Sequence, residues 1–239
     1  APVAIALYWT LGTASESAVL VRQEVVVSLV FCWGIRLTHN WSRRWRGLGH
    51  EDWRYTALRA RSGRWFWLVE LFGIDVMPTA VVFLGCLSLY PSLSAGTRGF
   101  GAIDWVATAV VAAAIAIEAT ADQQLERFVR TRRHSGQTLA TGLWAVSRHP
   151  NYFGEVLFWW GLYLFALAAD PSYWWVVAGP LAVTVLFVFV SVPMMDGRSL
   201  ERRPGYEEHM RRVSGLVPWF PRRGQRVTSE GPTGGASSS

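Results

Sequence analysis

SRHPNYFGE, residues 147–155, gathers Arg148, His149, Asn151, Tyr152 and Glu155 around a proline, directly ahead of the apolar run VLFWWGLYLFALAA. Pro150 suits the first turn of a helix, where its missing N–H has no intrahelical partner to lose. Free backbone N–H groups and the positive end of the helix dipole favour an anion there. Arg148 adds a planar fork of donors matched to phosphate. Phosphate or pyrophosphate is therefore the ligand this pattern predicts. Tyr152 offers a ring or a hydroxyl, and Gly154 lets another helix or a ligand approach the backbone closely. The alternative is an ordinary capped helix with interfacial anchors, which suits any one of these residues but not so many in nine positions.

Further polar groups stand inside apolar runs: Glu70, Asp75, Glu118 and Asp122. Acids in a membrane span are costly and face the bundle interior. Glu118 and Asp122 are four residues apart and share one helix face. Each could act at a site or form an interhelical ion pair that fixes packing.

The elements that must position these groups follow from composition. Hydrophobic residues make up 51% of the 239-residue chain, and their runs approach the roughly 20 residues that cross a bilayer. The chain reads as an all-α, polytopic integral membrane helical bundle of about five to six transmembrane helices. Spans are predicted over 19–37, 65–90, 103–121, 152–169 and 173–195, with a kink at Pro78. Only DPS joins the last two, which makes them an antiparallel hairpin. Abundant tryptophan fits aromatic belts at the headgroup level. Residues 1–221 form one domain, 222–239 a disordered polar tail, and the run at 2–9 reads as the end of a helix cut short by truncation.

All 23 basic residues are arginines. They concentrate in 38–64, in 122–151 and after Met195, whereas the intervening loops hold only Arg98. Loops 38–64 and 122–151 and the C-terminus are thus expected to be cytoplasmic, in a bacterial inner membrane, with many of the arginines contacting anionic lipid. The same distribution explains the high isoelectric point without nucleic acid, for which no binding module is recognisable. Cys32 and Cys86 sit in apolar runs with no CxxC spacing and no histidine partner, so neither a disulfide framework nor a metal site is expected. A soluble dinucleotide fingerprint and a P-loop are both absent.

GLWAVSRHPNYFGEVLFWWG resembles the signature of the steroid 5α-reductase C-terminal superfamily, which includes the sterol Δ14- and Δ7-reductases and shares its fold with the isoprenylcysteine carboxyl methyltransferases. Together with WGIRLTHNWSRRWRGLGHEDWRY, ADQQLERF and LERRPGYEEHMRRVSGLVPWFP, it is similar to the bacterial branch known as domain of unknown function 1295. The resemblance spans most of residues 20–221. It implies a helical bundle with a cofactor pocket open to the cytoplasm, where a nicotinamide or methyl donor meets a lipid-soluble substrate. Asn151, Glu155 and Asp122 match polar residues of the NADPH pocket. Arg36 matches an arginine at the end of an earlier helix, Arg148, His149 and Tyr152 the sterol-reductase form of the central string, and Tyr206 a tyrosine of the terminal segment.

The implied activity is NADPH-dependent reduction of a conjugated double bond in a steroid- or lipid-like small molecule. A methyltransferase using S-adenosylmethionine shares the central string and is the alternative, followed by a non-enzymatic membrane protein. ADQQLERF favours the reductase. The steroid reductases also carry a Gln-Glu pair on an early helix and a tyrosine on the next, which polarise the enone carbonyl. Here FCWGIRLT has no such tyrosine, and Gln23 and Glu24 are the early candidates for the pair. His50 and Tyr55 in HEDWRY are the nearest candidate catalytic groups, a proton donor having to come within hydrogen-bonding reach of the substrate.

Overall fold

The computed structural model describes residues 2–12, 17–45, 59, 62–132, 134 and 136–222. Its helices are α1 (Pro2–Gly12), α2 (Ser17–Arg44), α3 (Gly63–Ala95), α4 (Ala102–Thr131), α5 (Pro150–Ala169), α6 (Pro171–Arg202) and α7 (Tyr206–Arg212). No strand occurs among the described residues, and one isolated bridge joins Ser147 to Ser214. The helices α3, α4, α5 and α6 are long and apolar enough to cross a membrane. The expected span at 19–37 lies within α2, a single helix of 28 residues. Arg22, Glu24 and Arg36 interrupt its apolar stretch, so α2 does not match the other four in composition.

The helices run alternately up and down. At one end α2 and α4 begin side by side, tied by Arg22, whose side chain is fully buried. It donates from Nε to Asp104 Oδ1 at 2.6 Å, from Nη2 to Oδ2 at 3.0 Å, and to the carbonyls of Arg98 and Gly99. Asp104 also accepts from the Gly101 N–H at 2.8 Å, within the first turn of α4 where a negative charge suits the helix dipole. At the other end Arg43 pairs with Glu126 and Arg148 with Asp196, so the C-terminal ends of α2, α4 and α6 meet the start of α5. Among the described residues, Arg43, Arg130 and Arg148 of the arginine-rich segments lie at this end. Exposed Trp105, Trp174 and Trp175 ring the Asp104 end, while Trp41, Trp45, Trp65 and Trp67 ring the basic end. Exposed tryptophans at both ends of a bundle suit interfacial anchoring.

Small residues bring α4 and α5 into the most extensive contact in the bundle. A Cβ on Gly154 would press on Glu118 Cγ and lie 3.0 Å from the Ala114 carbonyl, and one on Gly161 would press on Val111. Backbones approach this closely only where side chains are absent. Gly154→Val is accordingly expected to wedge α4 from α5 and destabilise the protein by about 1–3 kcal/mol, read as a lower thermal midpoint in detergent. A midpoint equal to wild type would show that the contact yields without cost.

One expectation changes in α3. Its backbone does have a π-helical turn at Leu71–Val76 directly before Pro78, a feature that bends helices as proline does. Glu70 and Asp75 do not enter the bundle interior: Glu70 is half-buried and Asp75 exposed. The first half of α3 stands at the periphery and buries no residue, which leaves these acids no interior to face.

Candidate functional site

Three helices supply a polar cluster within the bundle. On α2, Trp33, Arg36 and Asn40 recur at helical spacing; on α4, Glu118 and Asp122 stand one turn apart; on α5, Glu155 and Trp159 do likewise. Arg36 is the hub. Its Nη2 pairs with Glu118 Oε2 and lies 3.8 Å from Glu155 Oε2, while Nη1 reaches Asp122 Oδ2 at 2.9 Å. Asn40 donates to the same Asp122 oxygen at 2.9 Å. Both oxygens of Glu155 accept from indoles, Oε2 from Trp33 at 3.2 Å and Oε1 from Trp159 at 3.0 Å. Trp33 is in turn stacked on Phe158, 4.7 Å between centroids.

Three carboxylates thus share one guanidinium in surroundings poor in water. Glu118 is only 1% exposed and lies against the Glu155 carboxyl as well as Arg36. Arg36 Nε is unpartnered. An unused polar atom at this depth marks a place where a further polar group can be received.

One turn before Glu155, Asn151 opens onto a cleft of about 150 Å³ at the basic end. The start of α5, the end of α4, the end of α6 and α7 line it. Asn151 Oδ1 is buried there without a partner. Arg148, His149, Tyr152 and Tyr206 also border the cleft, the His149 and Tyr152 rings stacked 5.2 Å apart at 10°. The eight binding candidates therefore divide: Arg36, Asp122 and Glu155 in the buried cluster, the other five around the cleft.

Arg148 corrects an expectation. Its Nη2 pairs with Asp196 Oδ2 at 2.8 Å, and its Nη1 donates to the carbonyls of Met210 at 2.9 Å and Val213 at 3.4 Å. These donors face inward and hold the C-terminal segment in place of forming an open phosphate fork, because the nearest strong acceptors are a buried carboxylate and the end of α7. His149, too, is occupied, its Nε2 lying 3.0 Å from Asp196 Oδ1. Tyr206 donates its hydroxyl to that oxygen at 2.8 Å. Burial and this hydrogen bond push the Tyr206 phenol up, which keeps it a donor. His50 and Tyr55 lie outside the described residues.

Sequence reasoning did not single out Asp196, Trp33, Asn40 or Trp159. Asp196 had a usable signal, as a carboxylate one residue past the end of an apolar run. The tryptophans had none, because a tryptophan that donates inward reads the same in sequence as one of the belt.

His209 completes the wall of the cleft. Burial, and then the charge of Arg148, hold its imidazole below the usual histidine range; Arg203 and Arg212 act in the same direction and Asp196 opposes them. The unfolded chain therefore binds a proton near pH 6.5 that the folded protein takes up only at lower pH. The stability this confers is present above that pH and is lost as pH falls through the folded value. Thermal midpoints measured from pH 7.5 downward should fall more steeply below about pH 6.5 for wild type than for His209→Gln. Parallel curves would remove His209 as the cause.

A buried ionic cluster across three helices, joined to a polar cleft at the basic end, defines a polytopic helical membrane protein with an interior polar site. The family model described as protein of unknown function (DUF1295) matches residues 1–213, and the chain belongs to that family. An uncharacterized protein of Schizosaccharomyces pombe is 28% identical over 239 aligned residues, covering 91% of this chain and 69% of its own. No solved structure matches.

Proposed function

We propose that the chain is an NADPH-dependent membrane reductase that transfers hydride to a conjugated double bond of a lipophilic, steroid- or lipid-like substrate. The observation that carries this reading is Asn151 Oδ1, a buried acceptor without a donor, at the edge of a cleft one helical turn from the Arg36 cluster. A carboxamide or ribose of a nicotinamide dinucleotide would supply the missing donor, and unpartnered Arg36 Nε offers a further contact. When bound, the reduced nicotinamide supplies the hydride. Asn151, Asp122 and Glu155 hold and orient it; His149, Tyr152, Tyr206 and His209 wall the cleft. Arg36 keeps the three acids placed and compensated.

The lipophilic acceptor is supported by a second feature. A groove of about 640 Å³ follows α2 beside α1, lined by Val3, Phe31, Trp33, Ile35 and Leu37, and becomes polar at Thr38, His39 and Ser42. Trp33 belongs to this groove and also donates to Glu155, so an apolar molecule there lies against the polar cluster. The basic end is the cytoplasmic one, by its arginines, and the membrane is the inner membrane of a bacterium. His50 and Tyr55 remain the candidate proton donors.

The test compares NADPH, NADH and S-adenosylmethionine by direct binding and thermal shift on the detergent-purified protein. A ligand that binds the folded state alone adds about 2.7 kcal/mol at a hundredfold excess over its dissociation constant. NADPH is expected to stabilise wild type, and Asn151→Ala and Glu155→Gln, which keeps an acceptor for an indole, to weaken its binding while leaving the protein folded. Stabilisation by S-adenosylmethionine alone would assign a methyltransferase, and normal NADPH binding by both variants would overturn the pocket.

A further inference from the structure

Beyond α7 the chain doubles back as a strap over residues 213–222, and its backbone is pinned along its length. Ser214 O accepts from the Arg148 N–H at 2.8 Å, Leu216 O from Ser147 Oγ at 2.7 Å, and the Trp219 and Arg222 N–H groups donate to Val146 O and Arg212 O, each at 2.9 Å. Pinned in this way, the strap turns large apolar side chains outward. Trp219 is 70% exposed, Phe220 85% and Val217 55%. Pro218 and Pro221 flank the two rings and fix φ on either side of them.

The depth of these rings can be read from α4. Val146 follows the turn Gly142–Ala145. In that turn the Leu143 N–H donates to Gln124 Oε1 at 3.0 Å, and Trp144 Nε1 donates to the Ala121 carbonyl at 3.2 Å. The strap therefore sits level with residues 121–124 of α4, where its apolar run gives way to Asp122, Glu126 and Arg127. This is the headgroup level, where aromatic rings are favoured. Arg212 and Arg222 are exposed beside the strap and make no ion pair among the described residues, whereas Arg211 is engaged by Glu207 at 2.6 Å. Guanidinium groups at that depth complement anionic lipid.

We propose that the strap is a membrane-surface contact, seating Val217, Trp219 and Phe220 among the headgroups of an anionic bilayer with Arg212 and Arg222 against lipid phosphates. The strap follows directly on α7, which carries Tyr206 and His209 of the cleft wall, so lipid contact ties that wall to the membrane surface. This holds whichever ligand the cleft takes.

The test places a nitroxide at Phe220→Cys, in a Cys32→Ser, Cys86→Ala background, in bilayer discs containing phosphatidylglycerol. Compared with the same label at Glu207→Cys, it is expected to gain collisions with dissolved oxygen and lose them with a water-soluble nickel chelate. Equal nickel contact at the two positions would overturn the proposal. Shielding from both reagents in detergent and bilayer alike would also overturn it, by showing that protein covers the strap. Headgroup-brominated lipid should also quench wild-type tryptophan emission more than that of Trp219→Phe, which needs no cysteine background. Equal quenching would count against lipid contact.

Discussion

Arg36→Met is expected to destabilise the folded protein by about 3–5 kcal/mol, the range for leaving buried charge uncompensated. The methionine fills much of the volume, so the effect is electrostatic. Glu118 and Asp122 would lose their shared counter-charge within the bundle, and Glu155 would keep only the two indoles. Arg36→Lys should fall between, because one ammonium cannot present separate nitrogens to two carboxylates as Nη1 and Nη2 do. Combining Arg36→Met with Glu118→Gln and Asp122→Asn should restore a large part of the loss, a non-additivity expected of groups in one network. The readouts are thermal midpoint and monodisperse elution in detergent. A near-wild-type Arg36→Met protein would mean that the three acids do not depend on Arg36.

Asp196→Ala is expected to rank next. Asp196 is 4% exposed and receives Arg148, His149 and Tyr206. Its removal strands the Arg148 charge beside two carbonyls and leaves two further donors without an acceptor, again at a cost of about 3–5 kcal/mol. Unlike Arg36→Met, this change acts on the C-terminal segment. Trypsin should release residues beyond α6 faster from Asp196→Ala than from wild type, while the helices that meet at Arg36 persist. Asp196→Asn, which keeps an oxygen for Tyr206 and His149 but not the charge for Arg148, should lie between. Unchanged proteolysis in Asp196→Ala would show that the backbone bonds of the strap suffice alone.

Much of the site was legible from local pattern. Pro150 begins α5 as its chemistry demands, and Glu118 and Asp122 share a face because a helix turns once every 3.6 residues. Gly154 marked a close approach, and the approach is made by α4. Direction was not legible. Arg148 looked like a donor fork turned toward a ligand, but a flexible side chain goes to the strongest acceptor within reach, and Asp196 is 48 residues away in sequence and 2.8 Å away in space. Glu70 and Asp75 looked interior because spans bury their acids on average, yet only the packing of α3 says which of its faces has a neighbour.

Local pattern in the chain was enough to establish a helical membrane protein, with most of its arginines in alternate connecting segments and its polar side chains at stated positions along the helices. Hydropathy, charge placement and helical period act over short stretches of chain and are readable there. The tertiary structure alone decided that Arg36 serves three acids from two other helices, that two tryptophans hold Glu155, and that Asp196 ties the C-terminal segment to the cleft. Those pairings join residues far apart in the chain, and the approach of α4 to α5 and the return of the strap bring them within hydrogen-bonding range.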